Sequence, residues 1–349
     1  MQIGGTMKIV VLAGGLSTER DVSLVSGRGV YAALSKRGHK VILLDVFLGY
    51  EGDIEGLFDR DIDWTSKINA VSESAPDLEK VRAMRKGDTK VFFGPNVIKI
   101  CQMSDIVFMA LHGDVGENGK IQSAFDLLGI KYTGTDAYSS ALAMNKSTSK
   151  LAFKSYGVST PESHVLKSAD DDYVPEYPCV VKICNGGSSV GVYMVNDEKE
   201  YQSAVKDAFR YESRVMVEEY IKGREFTCCV IDGQALPVVE IEPKSGFYDY
   251  KNKYQAGSTI ETCPAKISAD ETAKIQAEAI KAYNALEIQT YARMDFIMNE
   301  KGEVFCLEAN TLPGMTPTSL IPQEAAAIGR SYEDLCEWII DISLKKWEK

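Results

Sequence analysis

Short apolar runs closed by glycines mark the first part of the chain, and shorter runs of alternating character mark the middle. Lys8 to Ala13 ends at Gly14-Gly15, the pattern of a strand buried on both faces of a parallel sheet. A helix is expected from about Asp21 to Ser35, stopped by Gly38, and a second strand from Val41 to Val46, which completes one β-α-β unit. Asp105 to Leu111 reads as a further strand and Ile121 to Leu128 as a helix ended by Gly129, so this part predicts a small open α/β unit. Residues 49–90 are charged and aperiodic and read as a peripheral insertion.

Asn145 can cap a helix that stops at Gly157 before Pro161. The texture then turns to antiparallel β, with strands expected at Cys179 to Cys184, Gly191 to Val195, Val215 to Glu219 and Phe226 to Ile231. Gly246 to Thr262 shows no strand or helix pattern, and connections of that length are usually lids or binding loops. Ser268-Ala269-Asp270-Glu271 is a capping box opening a helix to about Leu286. A hairpin, Tyr291–Met298 with Glu303–Asn310, turns through Asn299-Glu300-Lys301-Gly302, and an amphipathic helix from Tyr332 to Leu344 follows.

Composition narrows the function. Hydrophobic residues make up 45% of the 349 and charged residues 26%, ordinary for a globular protein. The net charge of −11 argues against a nucleic-acid binder, whose affinity is built on basic surface. An anionic small molecule remains compatible through a few lysines or a bound metal. The eight scattered cysteines, with no C-x-x-C pair, read as thiols of a reducing compartment. No run approaches the ~18 apolar residues of a spanning helix, and the first is too short for a signal-peptide core, so a soluble cytoplasmic enzyme is expected.

The hairpin is the most informative segment. Pairing Met298 with Glu303 sets Arg293 opposite Glu308 and Asp295 opposite Cys306, and the period of two puts Arg293, Asp295, Glu308 and Asn310 on one face. Met294, Phe296, Phe305 and Leu307 are then the core face. Asp, Glu and Asn together offer oxygen ligands suited to magnesium shared with phosphate. A solvated polar face with an Arg–Glu cross-strand pair is the competing reading. Cys184 to Val192, with Gly186-Gly187 and Gly191, fits either a phosphate cradle or a plain hairpin turn. Lys182 on the preceding strand and Lys146 in the first turn of the Asn145 helix are within reach of the same phosphates, the latter unfavourable for the helix dipole unless an anion is near. His112, just past a strand end, is placed either for a ligand or as a structural turn residue.

Other chemistries fail on residues. Gly119-Lys120 is followed by Ile121 and position 114 is Asp, so there is no Walker loop; Gly14-Gly15-Leu16-Ser17 is no dinucleotide fingerprint. Kinase motifs, a G-x-S-x-G elbow and zinc-ligand spacing of the three histidines are absent.

Taken in order, Gly14-Gly15-x-Ser17-x-Glu19-Arg20-x-Val22-Ser23, Leu111-His112-Gly113, Lys146 and Gly187-Ser188-Ser189-Val190-Gly191 resemble the D-alanine–D-alanine ligase family of the ATP-grasp superfamily. Glu225-Phe226-Thr227, Phe247-Tyr248-Asp249-Tyr250 with Lys253-Tyr254, Arg293-x-Asp295 and Glu308-Ala309-Asn310-Thr311-x-Pro313-Gly314-Met315-Thr316 extend the likeness over roughly residues 7 to 340. The resemblance implies an α/β and α+β, three-domain ATP-grasp fold: an α/β domain (1–135), a central domain (136–223) and a C-terminal domain (224–349) with a lid at 246–262. It implies ATP-dependent joining of two D-alanines through an acyl phosphate, for peptidoglycan. Lys146 and Lys182 would hold phosphates, Glu218 and Ile221 adenine, Glu225 ribose, and Lys253 the γ-phosphate. Asp295, Glu308 and Asn310 would ligate two magnesium ions, manganese being an alternative. Glu19 would grip the first ammonium with His112 nearby, Arg293 and the Gly314 N–H would stabilise the oxyanion, and Ser319 with the Leu320 N–H would hold the second carboxylate. Tyr254, Ser188 and Glu19 would latch the lid. Members of the family are commonly homodimers, and no nucleic-acid or membrane partner is expected. The competing readings are a relative using D-serine or D-lactate as second substrate, or a non-catalytic nucleotide-binding regulator. Lys182-Ile183-Cys184-Asn185-Gly186-Gly187 departs from the Lys-Pro-Ser-Arg-Glu-Gly of many relatives.

Overall fold

The structure, a computed structural model, describes residues 5–66, 68–72, 76–187, 190–244 and 258–348. In chain order the first elements are β1 (Lys8–Ala13), α1 (Arg20–Lys36), β2 (Lys40–Asp45), α2 (Leu78–Met84), α3 (Val97–Gln102), β3 (Ile106–Met109), α4 (Asp114–Glu117) and α5 (Lys120–Leu128). Next come α6 (Ala137–Met144), α7 (Lys146–Ser155), β4 (Ser163–Leu166), β5 (Cys179–Ile183), β6 (Val192–Val195), α8 (Glu198–Ala208), β7 (Val215–Glu219) and β8 (Gly223–Ile231). The chain continues through β9 (Gln234–Ala235), β10 (Val239–Pro243), β11 (Thr259–Thr262), α9 (Ala269–Ala285), β12 (Tyr291–Asn299), β13 (Val304–Asn310), α10 (Leu320–Ala327) and α11 (Tyr332–Leu344).

Three sheets follow from the sequence patterns. The apolar run of β1 lies between β2 and β3, parallel to both, with Ile9 to Ala13 wholly buried. A second, antiparallel sheet has the order β4-β7-β5-β6 and packs on α8 through Tyr201, Ala204, Val205 and Ala208. The third, also antiparallel, has the order β11-β10-β8-β12-β13, with β9 beside β8. Helix α9 covers its core face through Ile275, Ala279 and Ala282. Helix α11 returns to the first sheet, and Leu335, Ile339 and Ile340 join Val30, Leu34 and Phe108 in one core.

Local signals account for the helix ends. The Asn145 side chain accepts from the Thr148 N–H at 3.0 Å, and both arms of the Ser268–Glu271 capping box are made. Helix α6 escaped the sequence pattern because much of its buried side is serine: Ser139 and Ser140 face inward with Ala143, and the Ser139 hydroxyl donates to the Glu287 carbonyl at 2.7 Å. Helix α8 and strands β4 and β10 were also unread. The patternless stretch expected to end at Thr262 closes on an edge strand, since β11 pairs with β10 from Thr259.

The hairpin needs a correction. Met298 pairs with Val304 rather than Glu303, and Phe296 with Cys306; the register then shifts, so that Asp295 faces Glu308 and Arg293 faces Asn310. Leu307 is the extra residue of a β-bulge, which puts Leu307 and Glu308 successively toward the cleft. Val304, Cys306 and Ala309 therefore fill the core beside Met294 and Phe296, in place of Phe305 and Leu307. Near the site the expected register is off by two, an even number, so the polar residues keep their shared face.

Ser268→Ala should lower stability by about 1 kcal/mol, the usual worth of an N-cap, read as a shift in the urea midpoint at unchanged slope. An unchanged midpoint would show that α9 is held by packing alone.

Candidate active site

A cavity of about 460 Å³ opens between the second and third sheets. Val180, Met194, Ile241, Phe296 and Leu307 give it apolar walls, while Lys146, Lys182, Glu218, Glu225, Asp295 and Glu308 supply charge. Ile221 lines it too, so every described residue expected to touch adenine, ribose or phosphate meets here. A second cavity of about 290 Å³ takes in Glu19, His112, Arg293, Gly314, Ser319 and Leu320, the residues expected around the two amino acids, together with Asn310, expected as a magnesium ligand. Glu308 lines both. Ser188, Lys253 and Tyr254, with the aromatic residues Phe247, Tyr248 and Tyr250, lie outside the described residues.

The first cavity is organised by paired charges. Glu218 is buried on β7, its Oε1 2.6 Å from the Lys150 ammonium and its other oxygen bound by Lys182. Burial alone would push its carboxyl up, but the two ammonium groups outweigh that and hold it below its ordinary value. Burial also drives Lys150 down. Lys146 Nζ lies 2.9 Å from Glu308 Oε2 and donates to the Gly186 carbonyl at 2.7 Å, joining β13 to the glycine turn. Burial opposes the charge on Lys146, and Glu308 overcomes it, leaving the ammonium above its ordinary value. Cys184 and Asn185, where the sequence departs from many relatives, are anchored: their N–H groups donate to Glu212 at 2.8 and 2.9 Å, and Asn185 Oδ1 accepts from Asn145 at 2.9 Å.

On the hairpin, Asp295 receives Arg293 Nε and Nη2 at 2.8 and 2.7 Å, the Thr227 hydroxyl at 2.7 Å and Asn310 Nδ2 at 3.1 Å. Asp295, Glu308 and Asn310 are hard oxygen donors on adjoining strands, which fits magnesium. Among the described residues no three His, Cys, Asp or Glu side chains form a metal cage of their own.

The second cavity is rich in carboxylates. Glu19 stands at the N-terminus of α1, against two glycines: a Cβ at Gly113 would lie 2.5 Å from its Oε2, and one at Gly187 would lie 2.8 Å away. Glu117 accepts from the Gly113 N–H at 2.6 Å, and burial, followed by the nearby Glu19 charge, pushes its carboxyl up to about 8. His112 Nδ1 donates to the Leu312 carbonyl at 2.9 Å, so Nε2 accepts from the Ser26 hydroxyl, also at 2.9 Å, and burial keeps the ring neutral. Ser319 caps α10 in position, and its hydroxyl accepts from the Thr316 N–H at 2.9 Å.

Sequence reasoning missed Lys150 and Glu117. Lys150 was legible one helical turn beyond Lys146 on the same face. Glu117 sits in a short helix with no periodic pattern around it.

Models of the D-ala D-ala ligase N-terminus and C-terminus match residues 8–135 and 153–341. The chain is 44% identical over 341 residues to the D-alanine–D-alanine ligase of Pediococcus pentosaceus, covering 96% of this chain and 97% of that one. It is 42% identical over 346 residues to the ligase of Lacticaseibacillus casei, covering 97% and 96%. Among solved structures, D-alanine–D-alanine ligase from Bacillus anthracis complexed with ATP aligns with a TM-score of 0.76 at 29% identity, over 99% of this chain and 100% of that one. The VanG D-Ala:D-Ser ligase from Enterococcus faecalis aligns at 0.73 and 29%, over 97% and 100%.

Glu218→Gln should destabilise the protein by about 3–5 kcal/mol, because two buried ammonium groups lose their counter-charge. Since the folded carboxyl is held low, its contribution is present above the ordinary glutamate value of 4.5 and fades as pH falls through the folded value. The variant should therefore lose less stability than wild type on acidification, as urea titrations across pH would show.

Proposed function

The chain belongs to the D-alanine–D-alanine ligase family of ATP-grasp enzymes, and on that premise we propose how its residues divide the work of joining two D-alanines at the expense of ATP. The observation that carries the division is Glu308, shared by a nucleotide-sized cavity and the smaller cavity of carboxylates and helix ends. Phosphoryl transfer to a substrate carboxylate needs such a junction.

ATP lies in the larger cavity, its adenine at the backbone of Glu218 and Ile221, its ribose at Glu225 and its phosphates at Lys146 and Lys182 beneath the glycine turn. Asp295, Glu308 and Asn310 hold magnesium, which supplies neutralisation of the triphosphate charge. Glu19 takes the ammonium of the first D-alanine, with His112 beside it, and so aims that carboxylate at the γ-phosphate. The acyl phosphate that results is attacked by the second amine. Arg293 and the Gly314 N–H stabilise the oxyanion formed there, and Ser319 with the Leu320 N–H orients the second carboxylate. Lys253 at the γ-phosphate, and Tyr254 with Ser188 and Glu19 as a latch over the site, complete the reading. We assign 1–135, 136–223 and 224–349 as the three domains. The product supplies peptidoglycan synthesis from the cytoplasm; eight unpaired thiols suit a reducing compartment, and no described helix is long and apolar enough to cross a membrane. The family likeness is what supports a homodimer.

The direct test is incubation with ATP, magnesium and D-alanine, with D-serine and D-lactate offered in competition, and product identification by mass; D-alanyl-D-alanine is expected to dominate. Glu308→Gln should cut turnover by more than about 100-fold in a folded protein, exceeding what loss of an outer-shell partner costs. Near-normal turnover would remove the hairpin assignment. Glu19→Gln should raise KM for the first D-alanine by roughly tenfold or more, as loss of a charged hydrogen bond implies, with KM for ATP unchanged. An equal rise for ATP would mean that Glu19 holds the fold instead.

A further inference from the structure

Outside the roles just assigned, one acidic side chain stands out. Glu324 on α10 is wholly buried, and both of its carboxyl oxygens face the Cys229 N–H, at 3.2 and 3.0 Å. That N–H lies at a break in the sheet. Strand β8 pairs with β10 only as far as Thr227, and with β9 only from Val230. Just past β9 the Leu236 N–H still donates to the Cys229 carbonyl at 2.8 Å, so the ladder on this side ends at Cys229. Glu324 supplies the acceptor that the missing strand would have offered.

The two ends of this contact are informative. Cys229 is the cross-strand partner of Arg293 in the register of β8 with β12. Glu324 lies four residues after Leu320, one helical turn below the first N–H groups of α10 and on the same face. The contact thus ties the helix end assigned to the second substrate's carboxylate to the strand pair that presents the oxyanion arginine. Burial pushes the Glu324 carboxyl well above its ordinary value, with the Cys229 N–H and Arg293 pulling the other way and the Asp295 charge adding to the rise. An apolar residue would fill the space but leave the N–H without a partner.

We propose that Glu324 is a positioning residue for the second substrate, fixing the first turn of α10 relative to Arg293. The proposal rests on the assignment of Ser319 and Leu320 to the second carboxylate. Its consequence is selective: the acceptor should be misplaced while ATP and the first D-alanine bind normally.

The test is full kinetics of wild type, Glu324→Ala and Glu324→Gln, resolving KM for ATP and for each D-alanine. Glu324→Ala should raise KM for the second D-alanine, lower kcat, or both, by about ten- to a hundredfold, the penalty for displacing a reactant by around an ångström. KM for ATP and for the first D-alanine should stay within about twofold. Glu324→Gln keeps an acceptor oxygen without charge and should restore the second KM to near wild type, whereas Glu324→Leu, which keeps the volume without an acceptor, should not, a difference that simple loss of core volume would not predict. Should the alanine variant fail to fold, Glu324→Asp, which withdraws the carboxyl by one methylene, should show the same selective rise. A second-substrate KM and kcat unchanged in a folded alanine or aspartate variant, or a parallel rise in all three KM values, overturns the proposal. A wild-type protein that forms no dipeptide overturns the site assignments instead, and the two failures are therefore distinct.

Discussion

Helix α7 holds the nucleotide cleft in shape because two of its lysines answer carboxylates on different sheets. Lys150 pairs with Glu218 on the second sheet, and Lys146, one turn earlier, pairs with Glu308 on the third. A buried charge without a partner is far more costly than one that is paired, so neither sheet can slide along the helix without exposing an ion pair to that penalty. The cleft walls are set by this double attachment, and the second cavity inherits its position from Glu308.

Much of this was legible in the residues. The capping box at Ser268, the Asn145 cap, the first strands and the closing helix are local signals, and each appears where the pattern put it. The shared polar face of the hairpin also survives, although its register does not, because a bulge is a single inserted residue that leaves no mark in an alternation already interrupted by Cys306 and Leu307. What was not legible depends on contacts distant in sequence. Glu117 acquires its character from its burial and then from Glu19, nearly a hundred residues earlier, and Glu324 from a gap in a ladder made by other strands. Helix α6 hid because serines fill its inner face and satisfy themselves on a remote carbonyl.

Among the described residues carboxylates outnumber cations around both cavities, but they are answered differently. Around the larger one, lysines of α7 and β5 pair with Glu308 and Glu218. Around the smaller one, Glu19 and Glu117 stand together near a neutral histidine. The guanidinium of Arg293, in the smaller cavity, is bound to Asp295, which lines the larger one, and so stands where the two meet.

The return of α11 to the first sheet has a consequence for biosynthesis. The helix docks on residues synthesised some three hundred positions earlier, with Lys36 bound to Glu333 at 2.7 Å and His39 to Glu337 at 2.7 Å. Until the ribosome has released that segment, Val30, Leu34 and Phe108 lack part of their cover. The nascent parallel sheet must therefore wait, partly unshielded, while the rest of the chain is made, and it is the region where a chaperone would find apolar surface to hold.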